Sequence, residues 1–175
     1  MLFIQVRTGR WQPKQPLFVY VILFLLVGDN LENIKKYMNL ALEQAKKADI
    51  NEEIPVGVII VKDGKVISKA YNKKEKYNDA TKHAEIIAIQ KAAKKLGDWR
   101  LNDCVLFVSL EPCLMCMGAI VESRIKTVFC GTKNIKCHDI NKKIANTNKI
   151  SLKMGFLEKE CNEIIINFFD KKRKK

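Results

Sequence analysis

The run CVLFVSL, residues 104–110, is apolar at almost every position. A strand that repels water on both faces must lie inside a sheet covered on both sides, so it commits the chain to a layered α/β architecture. The flanking segments supply the cover. Upstream, IPVGVIIVKDGKVISKAYN (54–72) reads as two β-rich runs joined by an Asp-Gly turn, the signal of a hairpin. Before it, apolar residues recur at positions 31, 34, 37, 38, 41, 42, 45 and 48, the spacing of a helix with one apolar face. HAEIIAIQKAAKKLG (83–97) is a second helix, stopped by Gly97. Downstream, CLMCMGAIVESR (113–124) is a third, with Pro112 at its mouth, where proline is tolerated. KTVFCG (126–131) is a further strand. Residues 132–149, rich in Lys and Asn and without periodicity, are expected to form a loop. A short strand is expected near 150–153, and LEKECNEIIINFFDKKRKK closes the chain as an amphipathic helix ending in five basic residues. The expected fold is a three-layer α/β/α domain around a mixed five-stranded sheet, spanning residues 31–175.

The first thirty residues stand apart. LFVYVILFLLV (17–27) is a run of eleven apolar residues preceded by Arg7, Arg10 and Lys14. It is too short for a transmembrane helix and fits the core of a signal peptide, but no A-x-A cleavage site follows. Three readings are open: a targeting segment, a membrane-associated extension, or an upstream start outside the working protein. The last is favoured, so residues 1–30 are expected to lie outside the folded domain, with no membrane partner unless the segment is real.

The net charge is +13, from 32 Lys and Arg against 19 Asp and Glu. Such a surplus suits a polyanion, nucleic acid ahead of an anionic membrane. Of six cysteines only one pair has C-x-x-C spacing. Cys104, Cys130 and Cys161 lie in or beside apolar runs, where a buried free thiol is the expected state. No disulfides are expected, and the setting is read as reducing, intracellular and cytoplasmic.

Three residues carry metal chemistry. Cys113 and Cys116 sit at i and i+3 on one helix face and in its first turn, where the dipole and free N–H groups favour thiolate. With His83 they make three ligands for zinc, which leaves a fourth tetrahedral position open, as in a catalytic site. Glu85 is not needed as a ligand and is suited to moving protons beside the metal. Residues i and i+2 of a regular helix point apart, so His83 and Glu85 share a pocket only if His83 sits at the very start of its helix. Alternatives are a redox C-x-x-C pair or a structural zinc site completed by Cys137 or His138 of KCHD (136–139).

H-x-E followed by P-C-x-x-C is the signature of zinc nucleobase deaminases. Beyond it, EIPVGVIIV, AYN, DATKHAEIIAI, WRLNDCVLFVSLEPCLMCMGAIVESRI and ECNEIIINFF resemble the bacterial-type tRNA adenosine deaminases, from about Tyr37 to the C-terminus. The resemblance implies a cytidine-deaminase-like fold, one Zn²⁺ per subunit on His83, Cys113 and Cys116, and Glu85 as the proton shuttle. It implies hydrolytic deamination of the wobble adenosine to inosine in a tRNA anticodon loop, arginine tRNA first, by a homodimer. Asn72 would hydrogen-bond the flipped-out base, with Val56, Ala84, Pro112 and Asn134 around it. Phe168, Phe169 and Arg173 of the last helix would contact RNA. Deaminases of free cytosine, guanine or nucleosides share the same zinc motif and are the alternative. The sequence departs from the family at Ala80, where proline is usual, at Asn134, where bacterial members often have Asp, and in the shorter 132–149 segment. His138 is left without an expected role.

Overall fold

The computed structural model describes residues 17–174, with side chains from Leu31 onward. The chain divides into two compact units, residues 1–33 and 34–175. The second holds every feature below except the first part of α1. The expectations for residues 1–30 fall outside the described side chains, and residues 1–16 lie outside the described residues altogether. Among the described residues no helix is long and apolar enough to cross a membrane.

Helix α1 (Leu17–Ile50) is followed by the hairpin β1 (Gly57–Lys62) and β2 (Lys65–Tyr71). Asp63 and Gly64, at φ of 49° and 69°, make the turn the sequence promised, since two left-handed residues match the twist of the strands. The one-turn helix α2 (Lys74–Tyr77) leads into α3 (Ala84–Leu96). Then come β3 (Cys104–Leu110), α4 (Leu114–Glu122), β4 (Thr127–Thr132), α5 (His138–Thr147), β5 (Ser151–Lys153) and α6 (Glu158–Arg173). The sheet order is β2-β1-β3-β4-β5, antiparallel at β2-β1-β3 and parallel at β3-β4-β5. The three-layer, mixed five-stranded expectation holds.

Alternation along the strands explains the two layers of cover. Ile59, Val61, Phe107 and Phe129 face α1 and α6, meeting Met38, Ala41, Leu42, Ala45 and Cys161. Val58, Ile60, Leu106, Val108 and Val128 face the other way onto Ala84, Ala88, Ala92, Met117 and Ile120 of α3 and α4. On the first face Phe107 stacks on Phe129 at 4.9 Å between centroids. β3 is therefore covered on both sides, as its composition demanded. Burial of the α1 stripe runs from Ile34 to Ala48; Leu31, expected on that face, is 56 % exposed.

Within the segment 132–149, expected to be a loop, residues His138–Thr147 form helix α5, while 133–137 remain irregular. Asn141 and Ala145 of α5 are buried, and Ile144 packs against the core. Asn141 donates to the Glu111 carboxylate at 3.1 Å and to the Pro112 carbonyl at 2.8 Å. These contacts are tertiary, so the local pattern of Lys and Asn gave no periodic signal of them.

Gly57 sets how closely α1 approaches β1. A Cβ there would run into the Ala41 carbonyl and the Ala45 amide of the helix backbone. Gly57→Ala is expected to cost about 3 kcal/mol or more, since backbone cannot step aside as a side-chain tip can. A lower urea midpoint at unchanged m-value is the expected reading; a wild-type midpoint would contradict the close approach.

Candidate active site

β2, β3 and β4 end, and β1 begins, at one edge of the sheet, the crevice where open α/β sheets place their ligands. Two helices also start there. His83 is the N-cap of α3 (φ −71°, ψ 152°) and Cys113 is the N-cap of α4 (φ −73°, ψ 172°). The extended backbone at His83 lets its ring turn toward the same space as Glu85 in the first helical turn, the arrangement that the i, i+2 spacing required. Local turns deliver His83 to this point. The Thr81 amide and hydroxyl both donate to the Asp79 carboxylate, at 2.8 and 2.6 Å, and the His83 amide donates to the Thr81 carbonyl. The Asp79–Thr81 turn thus shapes the approach to α3 with Ala80 in the place of the usual proline.

His83 Nδ1 lies 3.6 Å from Cys113 Sγ and 3.5 Å from Cys116 Sγ. Tetrahedral bonds of about 2.3 Å to sulfur and about 2.0 Å to nitrogen place N and S about 3.5 Å apart. The donor set therefore already has the spacing of a zinc tetrahedron with three protein ligands. Among the described residues the group contains His83, Cys113 and Cys116 and no fourth member. The structural-site alternative is not supported: His138 Nδ1 is paired with Glu111 at 3.0 Å, and Cys137 is not in the group.

The electrostatics separate the ligand thiols from the others. With protons alone in the site, Cys113 is drawn down to about 5, first by the hydrogen bond from Cys116, while Cys116 is pushed up by the same bond and by burial. The opposite shifts show that the two thiols interact directly, and thiol ligands give up their protons when a metal binds. Burial raises Cys104, Cys130 and Cys161, so these buried free cysteines stay thiols. Glu85 is buried, which raises its carboxyl to about 7 against the opposing pull of a backbone N–H. A carboxyl near neutrality can both take and release a proton.

His83, Glu85 and Cys113 open into a cavity of about 260 Å³, shared with Val56, Asn72 and Asn134. Ala84 and Pro112 are buried beside it in sequence. A hollow of about 600 Å³ between α1 and α6 is larger, but its lining of lysines and carboxylates contains neither His nor Cys. In α6, Phe168 is buried and Phe169 is 43 % exposed; both line a second hollow with Lys172 and Ile54, and Ile54 also borders the first cavity. Arg173 is exposed and pairs with Asp170.

Sequence reading missed three residues that shape this cavity. Glu111, fully buried, accepts from the Asn134 amide at 3.0 Å, from Asn141 and from His138, and so ties the 132–149 segment to the EPC turn. Glu53 is buried on the other side, bonded to Asn72 at 3.1 Å. Lys74 lines the cavity. The spacing of Glu111 before P-C-x-x-C is the one signal that could have raised it.

The ligand set makes a direct prediction. The chain is expected to carry one zinc, and His83→Ala, Cys113→Ala or Cys116→Ala to lose it. Cys137→Ala and His138→Ala are expected to keep it. Metal content by elemental analysis reads this, with a lower melting temperature on chelation. Zinc lost from the Cys137 or His138 variant would contradict the three-ligand set.

Comparison with known proteins agrees with this geometry. Residues 31–132 match the cytidine and deoxycytidylate deaminase zinc-binding region. A tRNA-specific adenosine deaminase of Buchnera aphidicola is 40 % identical over 142 residues, 78 % of this chain and 94 % of that protein. A solved structure from a study of A-to-I editing by tRNA:A34 deaminases is 36 % identical, with a TM-score of 0.70, covering 74 % of this chain and 98 % of that one. A guanine deaminase of Bacillus subtilis is 40 % identical over a shorter stretch, 60 % of this chain and 68 % of that one, with a TM-score of 0.54. An H-x-E and P-C-x-x-C pair folded into one zinc-spaced cluster, within a chain that covers nearly the whole of such relatives, places the chain in the family of tRNA-specific adenosine deaminases, zinc-dependent hydrolases of the cytidine and deoxycytidylate deaminase group.

Proposed function

We propose that this chain deaminates adenosine to inosine at the wobble position of a tRNA anticodon loop, arginine tRNA being the first candidate, releasing ammonia. The observation that carries the reading is the zinc-spaced triad, of which His83 and Cys113 open with Glu85 into a cavity of about 260 Å³, room for a single base. The family supplies the substrate class, and the net charge of +13 suits a phosphate backbone. The working domain is residues 31–175, with 1–30 an extension outside it, acting in the cytoplasm as a homodimer.

Zinc, when bound to His83, Cys113 and Cys116, supplies a Lewis acid that makes a water molecule nucleophilic near neutral pH. Glu85 takes a proton from the attacking water, gives it to the ring nitrogen beside C6, and then moves a proton to the departing amine. Oxygen replaces nitrogen at C6, giving inosine and ammonia. Asn72 hydrogen-bonds the base edge, Val56 and Ala84 wall it, and Pro112 with Asn134 closes the side nearest α5. An anticodon loop suits this cavity because its bases leave the stack at a cost of only a few kcal/mol. Phe168, Phe169 and Arg173 of α6 would contact the RNA, a reading supported by the exposure of Phe169 and Arg173 on a basic helix end.

A second reading, deamination of free guanine, is favoured by the resemblance to the Bacillus guanine deaminase. Inosine analysis of an arginine anticodon stem-loop with A at the wobble position separates the two. The wild type is expected to form inosine, and Glu85→Gln to lose at least about 10³-fold while keeping its zinc. Ammonia from guanine with no inosine in RNA would overturn the tRNA reading.

A further inference from the structure

Three glutamates are buried among the described residues: Glu53, Glu85 and Glu111. Glu85 belongs to the chemistry and Glu111 holds the loop that carries Asn134. Glu53 lies just before β1, is 0 % exposed, and has no Lys or Arg partner within salt-bridge reach among the described residues. Its two oxygens accept three N–H groups instead. Oε2 takes the Asn72 side-chain amide and the Glu75 backbone amide, both at 3.1 Å, and Oε1 takes the Lys76 backbone amide at 2.7 Å. A carboxyl group buried in this way costs stability that an apolar side chain would not, so its retention points to a use.

We infer that Glu53 is a positioning residue of the deamination site: it fixes the amide of Asn72 and the turn that carries Lys74 before substrate arrives. The inference rests on the reading of the cavity as the adenosine site. An amide can be flipped end for end with almost no change of shape, and its neighbours decide which way it points. A carboxylate only accepts, so Glu53 holds the Asn72 NH₂ toward itself and leaves Oδ1 as the group Asn72 presents to a bound molecule. The backbone amide of Asn72 donates to the Val56 carbonyl at 3.1 Å, which fixes the other end of the residue. The same carboxylate binds the start of α2, and with it Lys74, which lines the cavity where a phosphate of an extruded nucleotide would lie. One buried group thus sets the hydrogen-bonding face offered to the base and the cation offered to its backbone. Glu53→Gln keeps an acceptor for Asn72 only by turning a donor on the Lys76 amide, so it restores part of the function.

The test is a double-mutant cycle on the zinc-loaded full chain, using Glu53→Ala, Glu53→Gln, Asn72→Ala and the Glu53→Ala/Asn72→Ala pair. Inosine formation is followed in an anticodon stem-loop with A at the wobble position and expressed per zinc-containing, folded molecule. Glu53→Ala is expected to lower kcat by about 10- to 100-fold, the usual size for a group that orients another. KM should rise as well, because the turn that carries Lys74 loses its support and phosphate contacts dominate RNA affinity. The pair should be no slower than Asn72→Ala alone, and Glu53→Gln should fall between wild type and Glu53→Ala. Should Glu53→Ala fail to fold, Glu53→Gln/Asn72→Ala closes the same cycle. Wild-type kcat in the Glu53 variants, or losses that multiply in the pair, would overturn the positioning role while the wild type still makes inosine. A wild type that makes none overturns the underlying reading, and the positioning role with it.

Discussion

Two helices have to begin at one point. α3 starts at His83 and α4 at Cys113, and both N-termini meet over the carboxyl ends of β2 and β3. That meeting brings an imidazole within 3.5–3.6 Å of two sulfurs, and it sets the positive ends of two helices beside the place where negative sulfur is needed. A buried β3 makes it possible, because the strand carries the EPC turn straight from the sheet interior to the mouth of α4. The metal centre is therefore a property of the fold's junctions, and shifting either helix by one turn would dismantle it.

Around that junction the protein buries two carboxyl groups that do not take part in the metal cluster. Glu111 anchors α5 and the Asn134 loop, while Glu53 anchors Asn72 and the turn after β2, on opposite sides of one cavity. Buried carboxylates are poor devices for stability. They are good devices for holding polar walls at fixed angles, because each oxygen accepts from several elements at once. The aromatic stack of Phe107 and Phe129 and the α1 stripe do the opposite work on the far face, where the packing is mainly apolar.

Much of this was legible in the sequence where the cause was local. Asp63-Gly64 announced the hairpin, because few residues accept two left-handed conformations in succession. CVLFVSL announced a doubly covered strand. The i, i+3 cysteines and the His-x-Glu pair announced a metal site, and the need for His83 to stand at a helix start followed from helix geometry alone. Causes that act across the chain were hidden. α5 is weak by propensity and is held through Asn141 to Glu111 and Pro112, thirty and twenty-nine residues away in sequence. His138, given no role, completes the same cluster. Glu53 reads as one of two adjacent surface acids in NEEIP, and only the fold shows it to be the buried one.

The account turns on a single zinc held by one imidazole and two sulfurs. X-ray absorption at the zinc edge of the purified chain measures this most directly. Two sulfur scatterers and one imidazole per zinc are the expected result. A third sulfur, a second imidazole, or a metal site that survives loss of Cys113 would contradict it.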